Sequence, residues 1–145
     1  MAMGNVMRAI YALLLGCSAV QADGYTTDME LRGTPYVLSD EAGQCVIEAG
    51  DPSARLYLNL PAPCGFVTND GAVQVQTYPP VRSVVFVAGP RAIDAGQSAC
   101  AASGQAIVID GSEVTLGAAQ LVSDWFCHNR GLDEIVFRMA AGVEN

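Results

Sequence analysis

The sequence predicts an all-β domain, namely a small antiparallel sandwich or barrel with a short C-terminal helix and two disulfides; an α+β fold is the alternative. Short apolar or alternating segments recur along the chain, and Gly, Pro, Asn and Asp separate them, as is typical of such folds. Residues 81–88 form the longest β-branched and aromatic run after the N-terminal region, with prolines on both sides. A helix there would have only about two turns, so we interpret this run as a central strand buried on both faces. The length of 145 residues fits one domain.

Residues 1–22 have the pattern of a signal peptide rather than of a fold element. Arg8 precedes an apolar stretch, residues 9–16, that is too short to span a bilayer. Small residues at both ends of the Val-Gln-Ala at 20–22 form a cleavage site. We therefore expect a mature, single β-rich domain of residues 23–145 that is exported to the periplasm or secreted, with no transmembrane span after processing.

A second processing site competes with the first. Residues 14–17, Leu-Leu-Gly-Cys, resemble the lipobox of bacterial lipoproteins, which would make Cys17 the lipidated residue. The alternative prediction is therefore a lipid-anchored protein of the outer membrane.

The other four cysteines predict two disulfides, because an even number of cysteines in an exported chain indicates a disulfide framework. Three pairings are possible. We expect Cys45 to pair with Cys64 and Cys100 with Cys127, because each pair flanks a segment that resembles a local meander. There is no Cys-x-x-Cys motif, and the only histidine, His128, follows a cysteine directly, so no zinc site is predicted.

The charge balance bears on possible partners. Acidic residues outnumber basic ones by 15 to 7, which gives a net charge of −8. This charge opposes binding to nucleic acid and to anionic lipid. It favours encounter with a basic partner, although it also serves simply to keep a protein soluble.

The clearest alternating pattern lies at residues 54–60. The apolar side chains point to one face, and Arg55, Tyr57 and Asn59 point to the other. Because Tyr and Arg often anchor protein interfaces, we take these three residues as a candidate interface. An ordinary solvated strand face is the alternative interpretation.

Turn residues set the remaining expectations. Residues 69–71, Asn-Asp-Gly, and residues 110–112, Asp-Gly-Ser, predict two hairpins. Residues 72–78 are expected to form one return strand, and residues 39–43 a turn. Residues 23–34 are expected to be a loose lead-in.

The C-terminal segment predicts a helix. Leu132, Ile135, Val136 and Met139 recur at helical spacing and so predict its buried face, although a final strand is nearly as well supported. The single tryptophan, Trp125, is expected to pack in the core beside a disulfide.

No catalytic motif is present, so we expect a protein without enzymatic activity, cofactor or metal. His128 is predicted to lie in a surface turn. The chain is similar in class, though in no specific motif, to small exported β-domains that inhibit lysozymes or proteases and to periplasmic immunity proteins. The predicted function is therefore binding of a protein partner. The alternatives are a hydrolase that acts through carboxylates and an envelope-anchored structural lipoprotein.

Overall fold

A computed structural model describes residues 24–51, 54–92 and 100–143. The predicted signal peptide and Cys17 lie outside these ranges. Only the backbone is described for Ala92 and for residues 118–125, so the prediction for the Trp125 side chain also lies outside. None of the helices in the described ranges is long and apolar enough to cross a membrane.

Within these ranges the chain forms strands and then one helix, which confirms the predicted fold class. In chain order the elements are β1 Asp28–Leu31, β2 Thr34–Glu41, β3 Gln44–Ala49, β4 Arg55–Pro61, β5 Gly65–Phe66, β6 Thr68–Asn69, β7 Ala72–Val73, β8 Gln76–Tyr78, β9 Arg82–Ala88, β10 Arg91–Ala92, β11 Cys100–Asp110, β12 Glu113–Cys127 and α1 Glu134–Ala141.

Two antiparallel sheets and the helix stack as three layers. Sheet A is a meander in the order β1-β2-β3-β4. In sheet B, β11 pairs with β12 along one edge and with β9 and β10 along the other, and β9 pairs in turn with β5 and β8. The short β6–β7 hairpin stands apart from both sheets.

The inner core lies between the two sheets and contains buried side chains from both. They are Tyr36, Leu38, Cys45, Ile47, Leu58, Leu60, Cys64, Phe66, Val85, Val87, Ile107 and Ile109. On β9, Val85 and Val87 face this core, whereas Val84 and Phe86 face the helix. The prediction of a central strand buried on both faces is therefore confirmed.

The second core lies between sheet B and α1, where the Phe137 ring meets Phe86 edge-on with 5.0 Å between the centroids. The predicted helix is confirmed, but its predicted buried face is only half correct, because Leu132 and Val136 pack partly against this core and the other two residues do not. Phe137 and Ala141 are buried, whereas Ile135 and Met139 are 58% and 74% exposed. Phe137 fits among the aromatic rings of sheet B, and its insertion turns the neighbouring stripe of the helix to solvent.

Both predicted disulfides are present. Cys45–Cys64 has a Cα separation of 6.1 Å. Cys100 and Cys127 lie directly opposite one another on β11 and β12, with Cα atoms 3.9 Å apart. This separation is shorter than the usual range of about 4.4–6.8 Å for a disulfide. Two disulfides indicate a protein that folds outside the reducing cytoplasm.

In the first sheet the predicted lead-in was wrong, and the predicted turn was too long. The expected lead-in contains β1, which returns to β2 through Arg32 and Gly33, with φ of 50° and 78°. The expected turn at 39–43 is mostly strand, and the chain reverses at Ala42 and the glycine after it. Arg32 and Ala42 have positive φ, which residues of these types adopt rarely, so composition did not show which residues form each tight turn.

The two hairpin predictions were correct, but the return strand was not continuous. Asp70 and Gly71 form the first tight turn with positive φ, and β11 and β12 form the second hairpin. The expected strand at 72–78 divides into β7, which pairs with β6, and β8, which pairs with β9.

Candidate functional site

The outer face of sheet A, which points away from sheet B, carries the predicted interface residues. Strand register places Ser39, Val46 and Tyr57 in one row across β2, β3 and β4. The next row contains Val37, then Glu48 and Arg55. Val46 is fully buried even though it lies on this outer face, with Ser39 and Tyr57 opposite it on the two neighbouring strands.

Arg55 is held by two carboxylates on neighbouring strands. Its Nη2 pairs with Glu41, and its Nε lies 3.3 Å from Oε1 of Glu48. The side chains remain partly exposed, so each pair on its own adds little stability. Their joint effect is to fix a long side chain in one orientation across the sheet.

Tyr57 is 46% exposed and is also oriented by Glu41. The hydrogen bond from the phenol to the Glu41 carboxylate raises the pKa of Tyr57 above its ordinary value, and slight desolvation and the carboxylate charge add to this effect. Arg55 opposes the shift. Tyr57, Arg55, Glu41 and Glu48, with Val46 beneath them, form one connected group, which we call the Tyr57 cluster.

Asn59 lies further along β4, at the end of the predicted row. Its side chain is on the exposed face, and its backbone N–H donates to Oε1 of Gln105, 2.8 Å away on β11. Gln105 is buried between the sheets, so this contact fastens β4 to sheet B. The structure therefore brings Arg55 and Tyr57 together and places Asn59 where the sheets join.

An apolar cleft lies beside β4, and the sequence gave no signal for it. It has a volume of about 270 Å³ and runs between the β3–β4 hairpin and the start of β12. Its lining residues are Ile47, Ala49, Ala54, Arg55, Leu56, Ser112 and Val114. The cleft therefore opens beside the Tyr57 cluster on the same edge of the sandwich.

A second polar cluster surrounds the only histidine, which lies in an exposed turn as predicted. Arg91 Nη1 donates to Nδ1 of His128 at 3.0 Å, and Nη2 donates to the Gly24 carbonyl at 3.0 Å. The guanidinium carbon also lies 4.3 Å from the centroid of the Tyr25 ring. Since arginine has no acceptor, Nδ1 of His128 accepts here, and the neutral ring carries its proton on Nε2.

This second cluster has a structural role. Partial burial lowers the pKa of Arg91, and the guanidinium satisfies polar groups at the start of the described chain. The adjoining cavity measures about 10 Å³, roughly enough for one water molecule. Arg91 therefore fastens residues 24–25 to the end of sheet B.

The described residues show no arrangement of groups typical of catalysis or metal binding. Four cavities that they form are each lined by no more than one carboxylate side chain. No group of three or more His, Cys, Asp or Glu side chains is placed to hold a metal ion within these ranges.

Comparison with protein-family models, with curated proteins and with solved structures found no match. What the chain does must therefore be inferred from its own side chains.

Proposed function

We propose that the chain is an exported binding domain of the periplasm or the extracellular space, and that it recognises a protein partner through the outer face of sheet A. The observation that supports this proposal is the Tyr57 cluster. Aromatic and arginine side chains contribute strongly to many interfaces, and here both are held in place before binding. Ordering such side chains in advance reduces the entropic cost of association.

The surroundings of the cluster support binding of a protein more than binding of a small molecule. Val37 is 42% exposed in the adjacent row, and the strands present a broad, shallow surface rather than an enclosed site. Inhibition of an enzyme, or neutralisation of a toxin in the manner of an immunity protein, would use such a surface. The negative net charge favours a partner with a basic surface.

Site-specific photo-crosslinking tests the proposal. A benzophenone amino acid replaces Tyr57 in one variant and Met139 in a control, and each protein is exposed to the envelope proteins of the producing cell. Met139 is 74% exposed on α1, on the far side of sheet B, so it controls for adventitious contact. We expect adducts from position 57 only.

Single substitutions then measure the contribution of each side chain to partner affinity. Tyr57→Ala and Arg55→Ala should each weaken binding by at least about tenfold, the range of interface hot spots. Met139→Ala is the matched control, because Met139 is 74% exposed on α1 at the far side of sheet B. Equal crosslinking from both positions, or unchanged affinity in both cluster variants, would contradict the proposal.

A further inference from the structure

Sheet B extends one strand beyond sheet A at the edge formed by β4. The bond between Asn59 and Gln105 places β4 over β11, and β12 lies beyond β11. On β12, Val114 and Leu116 face the inner core but are only partly buried. In the part of sheet A that the structure describes, β4 is the last strand, so these two side chains have no strand above them.

The backbone of β4 is suited to receive another strand. Ala49 N–H donates to the Ala54 carbonyl at 3.0 Å, which shows that residue 54 faces β3. Because successive residues of an antiparallel strand direct their N–H and C=O groups to opposite sides, those of Arg55 and Tyr57 point away from β3. The Asn59 N–H, which bonds to Gln105, shows the same outward direction.

The apolar cleft occupies the position where a further strand would lie. A strand added at the usual spacing of about 4.8 Å from β4 would cover Val114, with Leu56 beside it. The cleft volume of about 270 Å³ is many times the roughly 10–15 Å³ that one water molecule needs. Side chains pointing down from the added strand would meet an apolar floor.

Charges around the β4 edge indicate which side chains the added strand would carry on the outer face of sheet A. Glu41 and Glu48 lie beside β4, and Arg55 is the cation between them. Asp110 on the neighbouring hairpin is already paired with Arg82. Two carboxylates against one guanidinium leave an excess of one negative charge, which favours lysine or arginine on the incoming strand.

We propose that an extended segment of a basic protein partner adds to sheet A beside β4, with alternating apolar and basic side chains. The apolar side chains enter the cleft above Val114, and the basic ones lie against the carboxylates of the Tyr57 cluster. Backbone hydrogen bonds to Arg55 and Tyr57 fix its direction, the mode known as β-strand addition. This inference rests on the proposed function, and it specifies how the partner binds. A second copy of this chain would bring a further net charge of −8 to an acidic edge, so a different protein fits better.

The test uses the mature domain, isotope-labelled, and a capped peptide of alternating valine and lysine as the probe. We expect amide hydrogen exchange at Arg55 and Tyr57 to slow by about tenfold or more at saturating peptide. Val114 and Leu116 methyl resonances should shift together with these amides. A peptide with glutamate in place of lysine should bind at least about tenfold more weakly.

Variants of the domain locate the site. Val114→Lys should abolish the exchange protection by placing a charge in the cleft, whereas Met139→Lys, on α1 at the far side of sheet B, should not. Glu48→Gln, which removes one of the two carboxylates beside β4, should weaken binding of the lysine peptide several-fold, and so provides a second test if Val114→Lys does not fold.

Four results would overturn the inference. The first two are that the lysine peptide does not bind, or that the glutamate peptide binds equally well. The third is that resonances of the outer face shift while the Arg55 and Tyr57 amides stay unprotected. The fourth is that protection of these amides depends on the concentration of the domain and not on the peptide. The last would show a second copy in the site. None of these results affects the crosslinking expected from position 57, so failure of strand addition can be told apart from failure of the proposed function.

Discussion

Removal of the Cys45–Cys64 disulfide should destabilise the domain more than removal of Cys100–Cys127, although chain entropy alone predicts the reverse. The bonded cysteines are 19 and 27 residues apart in sequence. The loop-closure relation then gives about 3 kcal/mol for the first bond and about 3.5 kcal/mol for the second. On this basis the Cys100–Cys127 bond should contribute slightly more.

Burial of the cysteine side chains reverses the expected order of the two stability losses. Cys45 and Cys64 are 0% and 5% exposed within the inner core, so conversion of both to alanine also removes two closely packed sulfur atoms. Loss of a buried group of this size costs about 1 kcal/mol each. Cys100 and Cys127 are only partly buried, so this cost is smaller there. We expect losses of about 5 kcal/mol for the first double alanine variant and about 3.5 kcal/mol for the second.

Equilibrium unfolding in urea, followed by circular dichroism, measures both variants against the unmodified domain. Thiol titration of the unfolded proteins confirms that each variant keeps its other disulfide. A larger loss for the Cys100/Cys127 variant would refute the argument from burial. A loss below about 1 kcal/mol for either variant would refute the loop-closure reasoning itself.

Three further predictions concern close packing, an unpaired hydroxyl and a titrating phenol. Gly104→Ala should cost about 1–3 kcal/mol in urea unfolding, because its Cβ would lie 2.4 Å from the Phe126 ring; Phe126→Leu in the same chain should recover part of that loss. Tyr78→Phe should leave the stability unchanged or raise it by about 1 kcal/mol, because the buried Tyr78 hydroxyl has no hydrogen-bond partner among the described residues. The pKa of Tyr57, measured by NMR, should lie above 10.0 and fall in Glu41→Gln. Because folding raises this pKa, the stabilising effect should be complete below about pH 10 and be lost as the pH rises through the folded value.

The sequence predicted the fold class well, because the fold depends on local patterns and on cysteine number. The continuous apolar run at β9 results from burial of that strand on both faces. The alternation at β4 results from burial on one face only. The helix was predicted, but its buried face only in part, since two apolar stripes run along it. Which stripe packs against sheet B is decided by the fit of Phe137 against Phe86, a contact between residues distant in sequence.

The candidate site, too, depends partly on local sequence pattern and partly on contacts between residues that are distant in sequence. Alternation alone places Arg55 and Tyr57 on an exposed face. It does not show that β4 is an edge strand, because neighbours in a sheet are set by the pairing of the whole chain. The ion pairs of Arg55 depend on that pairing too, since Glu48 is its register partner on β3 and Glu41 lies one strand further away. The edge of β4 is covered by Gln105 at Asn59 but not at Tyr57, because the two sheets are offset. The property on which the proposed binding depends is therefore tertiary, even though the residues that form this surface are visible in the sequence.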